Sequence, residues 1–336
     1  MASMKAVQIS RAGGPFEAVQ RDVPIPGAGQ VRIKVEACGI CHSDAFVKAG
    51  QFPGLVLPRI PGHEIAGRID AVASDVTAWK AEQRVGVGWH GGHCFQCNAC
   101  RRGLFINCEK AQVTGISFDG GYAEYVVVPQ AAVALIPEAL DAAEAGPLLC
   151  AGVTTYNALR NSGVRPGSTV AVQGIGGLGH LAIQYAAKMG FRTIAISRGQ
   201  EKETLARALG AHEYVDTQKV TAAEGLQKLG GADLVLATAP DNEAISSTVD
   251  GLKPRGELLI VAAPLAPISV NVFSLLSGKD VAGWPSGTAI DSEDAMAFSA
   301  LTGVRPRIEK FALDEADAAF TRMMENRVRF RAVLIP

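Results

Sequence analysis

The chain has 336 residues, a formal net charge of −1 and 48% hydrophobic residues, which excludes a disordered chain and leaves no cationic footprint for nucleic acid. About two domains are expected at this length, and no apolar run reaches the roughly 18 residues that span a bilayer. The opening MASMKAVQIS has neither the apolar core nor the cleavage site of an export signal, so a cytoplasmic protein with reduced thiols and no membrane partner is expected.

Up to about residue 150 the text reads as short strands broken by Pro and Gly turns: KAVQI, QVRIKVEAC, EIAGRIDAV, QRVGVGW and YAEYVVV. From about residue 153 strands alternate with helical patterns. STVAVQ is followed by HLAIQYAAKMG, RTIAIS by KETLARALGA, EYVD by TAAEGLQKLG and DLVLAT by NEAISSTVDGL, and RGELLIVAA closes the series. That rhythm predicts a parallel sheet wrapped by helices. The tail, with helical SEDAMAFSAL and DEADAAFTRMMEN and a last strand FRAVLI, is too short to fold alone and is expected to return to the first domain. The expected boundaries are 1–152 with 288–336 for a β-rich domain, and 153–287 for the alternating one.

Four of the seven cysteines crowd into GGHCFQCNACRRGLFINC. Cys94, Cys97, Cys100 and Cys108 are spaced C-x2-C-x2-C-x7-C, and four thiolates so close complete a tetrahedron around one zinc ion with no open position, a structural site. A redox-switching thiol cluster and a zinc ribbon gripping nucleic acid are the alternatives; no resolving pair is laid out for the first, and the neutral charge argues against the second. The other cysteines fall in CGICHSD, alongside PGHE, and in LLCAGVTTY. Cys41, His63 and Cys150 would form a Cys2His set with one coordination position open, the pattern of a catalytic zinc. Two zinc ions per chain are therefore expected.

The GIGGLG stretch sets Gly174, Gly176 and Gly179 in the G-x-G-x-x-G positions, with Gly177 between them, after a β-branched strand and before an apolar helix. In that context the glycines admit a tight turn and a close pyrophosphate, which the helix N-terminus attracts. At the end of the next strand, AISRGQEK, Ser197 stands where a carboxylate would accept bonds from a ribose 2′-hydroxyl. Arg198 lies beside it and Lys202 follows. A hydroxyl flanked by cations suits a 2′-phosphate, so NADP(H) is favoured over NAD(H), with Glu201 as a complication.

Taken in chain order, CGICHSD, PGHEIAGRI, the four-cysteine lobe, GGYAEY, LLCAGVTTY and GIGGLG resemble the zinc-dependent medium-chain alcohol dehydrogenases, and the AISR ending is most similar to their cinnamyl-alcohol-dehydrogenase-like branch. The resemblance implies a GroES-like catalytic domain, a Rossmann domain and an active site in the cleft between them. It implies hydride transfer between a small-molecule primary alcohol, aromatic ones included, and NAD(P)+. Cys41, His63 and Cys150 match the catalytic zinc ligands, and Glu64 a carboxylate that approaches the metal during ligand exchange. Asp44 matches the acid that orients His63, and Ser43 the hydroxyl that takes the alcohol's proton. His42 and Arg331 match pyrophosphate contacts, Thr154 a residue behind the nicotinamide, and Trp89 a wall of the substrate pocket. The resemblance also implies a homodimer or homotetramer associating through the cofactor domains.

Cys38 matches no ligand and reads as small-residue packing. Phe46 departs from the pattern, since many relatives have a proton-relaying histidine there. The proton is then expected to leave Ser43 through the ribose hydroxyl and water. Phe46, Phe52, Trp89 and Trp284 offer an aromatic pocket lining. A polyol dehydrogenase of the same superfamily and a non-catalytic zinc and nucleotide binder are the rival readings. Quinone reductases of the superfamily lack these zinc ligands.

Overall fold

The computed structural model describes residues 2–336. They divide into two units, one made of residues 2–153 with 287–336 and the other of residues 154–286.

In the first unit the longest strand, Gln30–Gly39, supplies the frame. Its text QVRIKVEACG alternates, so Val31, Ile33 and Val35 face the core while Lys34 faces water. It pairs antiparallel with Ile65–Val72, with Tyr125–Pro129 and with Arg331–Ile335. The sheet extends through Ile308–Ala312 on one side and through Arg84–Val87 and Val133–Leu135 on the other. A separate hairpin, Ser3–Gln8 with Glu17–Asp22, lies at the start of the chain. The short helix Asp44–Lys48 follows the long strand and is tied to the helix Ala316–Met324. Lys48 Nζ donates to Asp317 Oδ1 at 2.7 Å and lies 4.2 Å from the centre of the Phe16 ring.

In the second unit six strands run parallel in the order Glu213–Asp216, Arg192–Ser197, Thr169–Gln173, Ala232–Ala237, Leu252–Ile260, Asp280–Gly283. This is the doubly wound Rossmann arrangement, whose strand order reverses beside Thr169–Gln173. Val170, Ala171 and Val172 are fully buried, as expected of a central strand covered on both faces. The helix Ala222–Lys228 opens with a capping box in which Thr221 and Glu224 exchange hydrogen bonds.

Two details differ from the sequence reading. The parallel series does not close at RGELLIVAA, because Asp280–Gly283 adds a sixth strand; four residues ending in glycine carry too little β-branched pattern to announce it. The NEAISSTVDGL pattern is a helix only over Asn242–Ser246 and continues as a 3-10 turn at Val249–Gly251.

Candidate metal and nucleotide sites

Cys41, His63, Glu64 and Cys150 come from three segments far apart in sequence, yet their candidate ligand atoms all lie within 4.8 Å of one another. Cys41 lies two residues after the long strand and just before the turn that leads into the short helix, His63 and Glu64 precede Ile65–Val72, and Cys150 sits in a π-helical turn over Leu148–Gly152, a form often found at functional sites. The Cys41 and Cys150 sulfurs are 3.8 Å apart. Two sulfurs at about 2.3 Å from one tetrahedral zinc ion would be about 3.8 Å apart.

The imidazole is set for ligation. His63 is 2% exposed, its Nδ1 faces Asp44 Oδ1 at 3.5 Å, and its Nε2 is buried with no partner. A carboxylate only accepts, so the proton is assigned to Nδ1 and the lone pair to Nε2. The protons of the cluster compete in the same way. The hydrogen bond from Cys150 holds the Cys41 thiol well below its ordinary range, and donating that bond, with burial, pushes Cys150 well up. Burial works against a charged His63, but Cys41 and Asp44 outweigh it and hold its pKa well above the ordinary value. One divalent cation would take the place of these protons. An orphaned Nε2 and two converging sulfurs thus fit a zinc ion.

Glu64 is fully buried, and burial pushes its pKa up against the pull of Arg331. The Arg331 guanidinium donates to Glu64 Oε1 and to the carbonyl of Ile40. Arg331, read from the sequence as a pyrophosphate contact, is 3% exposed and directs its charge to Glu64. Glu64 Oε2 has no partner and occupies the space where a Cβ at Gly39 would lie.

Around this cluster, Ser43 is half-buried at the start of the helix Asp44–Lys48 and makes no capping hydrogen bond, so its hydroxyl is not spent on the backbone. His42 is exposed. The Trp89 ring meets His63 edge-on at 4.9 Å and Phe52 at 5.7 Å. Phe46 is half-buried on the same short helix. Cys38 is fully buried against Gly62 and Gly121, where a Cβ would come within 2.9 Å of its sulfur. Tyr122, in the GGYAEY stretch, escaped the sequence reading: its hydroxyl donates to Asp44 Oδ2 at 2.8 Å. Burial pushes the phenol well above its ordinary pKa, so it remains a donor.

The four clustered cysteines also converge, with Cys94–Cys100, Cys97–Cys108 and Cys94–Cys108 sulfur separations of 4.0, 3.9 and 3.5 Å. Backbone N–H groups of Cys94, Cys97 and Lys110 point at these sulfurs. N–H groups of Gln96 and Cys97 bring Cys94 down to about 6, while burial pushes Cys100 up to about 12. Four converging sulfurs with such N–H support fit a closed zinc site.

In the second unit Gly174 has φ +90°, and a Cβ on Gly179 would overlap the carbonyl of Gly174, so both need glycine for internal reasons. Gly176 does not. It is exposed, and a Cβ there would meet nothing within 4 Å. A glycine with no neighbour to avoid is what the close approach of an outside group demands, and the space above Gly176, with Gly177 beside it, fits a pyrophosphate at the start of the helix Gly179–Lys188. Lys202 Nζ donates to the carbonyl of Ile175 at 2.9 Å, which brings its charge to this loop. Arg198 is exposed beside Ser197. The turn that carries them is pinned at Gly199, whose N–H donates to Asp216 and whose carbonyl accepts from Tyr214. Thr154 is buried and donates to Ser286 Oγ at 3.0 Å, and Trp284 Nε1 donates to the Ser286 carbonyl.

Residues 27–138 match the alcohol dehydrogenase GroES-like domain, and residues 177–300 match the zinc-binding dehydrogenase domain. The chain is 49% identical over 311 residues to alcohol dehydrogenase patD of Penicillium expansum, covering 92% of this chain and 91% of that one. Among solved structures it is similar to a cinnamyl alcohol dehydrogenase of Sorghum bicolor, with 31% identity, TM-score 0.89 and 99% and 98% of the two chains covered. It is also similar to the cinnamyl alcohol dehydrogenase of Helicobacter pylori complexed with NADP(H), with 27% identity, TM-score 0.88 and 99% and 98% covered. Fold, sites and relatives define a medium-chain oxidoreductase with zinc-binding and Rossmann parts. Within that class the chain belongs to the alcohol dehydrogenases, which act on small-molecule alcohols.

Proposed function

We propose that the protein is a zinc-dependent alcohol dehydrogenase and aldehyde reductase that transfers hydride between a primary alcohol, aromatic ones included, and NADP(H). The observation that carries this reading is the convergence of Cys41, Cys150 and the unpartnered Nε2 of His63. Three protein ligands leave one coordination position for substrate. Residues 1–152 with 288–336 would form the catalytic domain and 153–287 the cofactor domain.

A bound zinc ion supplies Lewis acidity toward the substrate oxygen, and a bound nicotinamide the hydride acceptor or donor. The residues do the rest. Asp44 orients His63 so that Nε2 faces the two sulfurs, and Glu64, anchored by Arg331, offers Oε2 as a transient fourth ligand. Ser43, with an uncommitted hydroxyl, accepts the proton released in alcohol oxidation. Trp89, Phe52 and Phe46 present aromatic surface to the substrate, which favours aromatic substrates. Gly174, Gly176, Gly177 and Gly179 receive the pyrophosphate, joined by His42, while Thr154 backs the nicotinamide.

Ser197, Arg198 and Lys202 support NADP(H), the nucleotide carried by the H. pylori relative. One observation favours NAD(H) instead: the Glu201 carboxylate folds back over Gly199, close to where a 2′-phosphate would lie. Zinc-replete protein assayed with an aromatic aldehyde and with NADPH and NADH in parallel decides between them. A strong preference for NADPH is expected; a preference for NADH keeps the dehydrogenase and removes the Ser197–Arg198 argument, and no turnover with either overturns the enzyme reading. Assembly as a homodimer or homotetramer through the cofactor domains is supported by the exposed apolar side chains of Leu265, Phe273 and Leu276, in the segment that precedes the strand Asp280–Gly283 in sequence.

A further inference from the structure

We propose that Tyr122 is a positioning residue of the metal centre, holding Asp44 and through it both Cys41 and His63. The inference rests on the reading of Cys41, His63 and Cys150 as zinc ligands.

Asp44 is fully buried and serves two ligands at once. Its Oδ2 accepts the backbone N–H of Cys41 at 2.8 Å, and its Oδ1 faces His63 Nδ1 at 3.5 Å. The remaining donor to that carboxylate is the Tyr122 hydroxyl, 2.8 Å from Oδ2. Tyr122 is itself immobilised on every side. Its N–H donates to the carbonyl of Pro61 at 3.0 Å and Gly121 N–H to that of Gly62 at 2.9 Å, so its backbone is joined to the segment that carries His63. Val7 N–H donates to the Tyr122 carbonyl at 2.7 Å. The ring fills the space that a Cβ at Gly62, where φ is +100°, would need, and it rests on Phe16 with centroids 5.9 Å apart. The hydroxyl is thus delivered to Asp44 by a fully buried, packed ring.

Without that hydroxyl, Asp44 Oδ2 keeps one donor, a costly state for a buried carboxylate. The carboxylate is then free to turn about its last torsion, which takes Oδ1 away from His63 and loosens the ring that aims Nε2. Partners one step removed from a metal typically change its affinity about 10- to 100-fold.

The test uses Tyr122→Phe, which keeps the ring and removes only the donor. Zinc release from the holoenzyme into excess chelator is followed for the wild type, Tyr122→Phe, Asp44→Asn and the double variant. The expected result is two zinc ions in the wild type, with one of them released about tenfold faster in Tyr122→Phe and the other unchanged. kcat falls while KM for the nucleotide holds, and Tyr122→Phe adds little once Asp44 is Asn. Two zinc ions released at wild-type rates from Tyr122→Phe overturn the proposal. A wild type that holds a single zinc ion, retained on changing Cys41 to Ser, overturns the underlying ligand reading instead. Should Tyr122→Phe fold poorly, wild-type protein labelled at the tyrosine ring carbon bearing the hydroxyl gives the same decision by NMR: the Tyr122 resonance must move on removal of the zinc ion held by Cys41, His63 and Cys150, and a fixed resonance overturns the proposal.

Discussion

Ser43 begins a helix without capping it, and that uncommitted hydroxyl carries the first prediction. Ser43→Ala should lower kcat by about 10²- to 10⁴-fold with little change in nucleotide KM or Tm, measured by steady-state kinetics and thermal unfolding. Gly176→Ala should do the converse. Since a Cβ there meets nothing in the chain, Tm should hold while nucleotide Kd rises about tenfold or more, from a clash of about 1–3 kcal/mol with the bound ligand. A third concerns pH. Burial, then the neighbouring His93, bring His90 from 6.5 down to about 4. The unfolded chain therefore binds a proton at His90 near pH 6.5 that the folded chain resists until about pH 4. The stability is complete above pH 6.5 and is lost as pH falls toward 4, by at most about 3 kcal/mol. His90→Asn should flatten that part of the curve of denaturation midpoint against pH; a variant with the wild-type slope would show that other groups set it. At this scale residue types were legible and partnerships were not. Cys41, His63 and Cys150 stand out by type, but Tyr122 meets Asp44 across 78 positions and Arg331 meets Glu64 across 267. No local pattern encodes contacts that only the closed sheet creates.

Among elements, the four-cysteine lobe and the helix Asp44–Lys48 make separate predictions. Cys100→Ser should leave the parallel sheet intact and open residues 94–108 to proteolysis, read by limited digestion and circular dichroism, because those residues have little regular structure beyond the short helix Asn98–Arg101 and a 3-10 turn. On the short helix, Phe46→His offers an imidazole one turn after Ser43. A large gain in a rate limited by proton transfer would mean that a relay is absent in this chain, and an unchanged pH–rate profile would mean that Ser43 and water suffice. Strands with a strong β-branched text, such as TVAVQ and RTIAIS, were legible because burial on both faces forces continuous apolar runs. The strands Glu17–Asp22 and Asp280–Gly283 were not. The first has no fully buried residue to set an apolar pattern, and the second is a short edge held by one neighbour.

Across the molecule the class of fold was readable because the change from strand-and-turn text to strand–helix alternation is a property of long stretches rather than of single residues. If the proposed dimer or tetramer forms through the surface carrying Phe273 and Leu276, Phe273→Glu with Leu276→Glu should shift it toward monomer in size-exclusion chromatography while leaving zinc content unchanged, since both side chains are more than 70% exposed in the isolated chain. The first unit is also discontinuous, and its last strand lies beside its longest one. Order of synthesis follows from this. A nascent chain elongated as far as Gly303 already contains every strand of the parallel sheet, but it has neither Asp317 for Lys48 nor Arg331 for Glu64. The residues around Cys41, His63 and Cys150 therefore reach these partners only after every strand of the parallel sheet has been made, so the order of synthesis itself postpones the completed cluster until that sheet has had time to form.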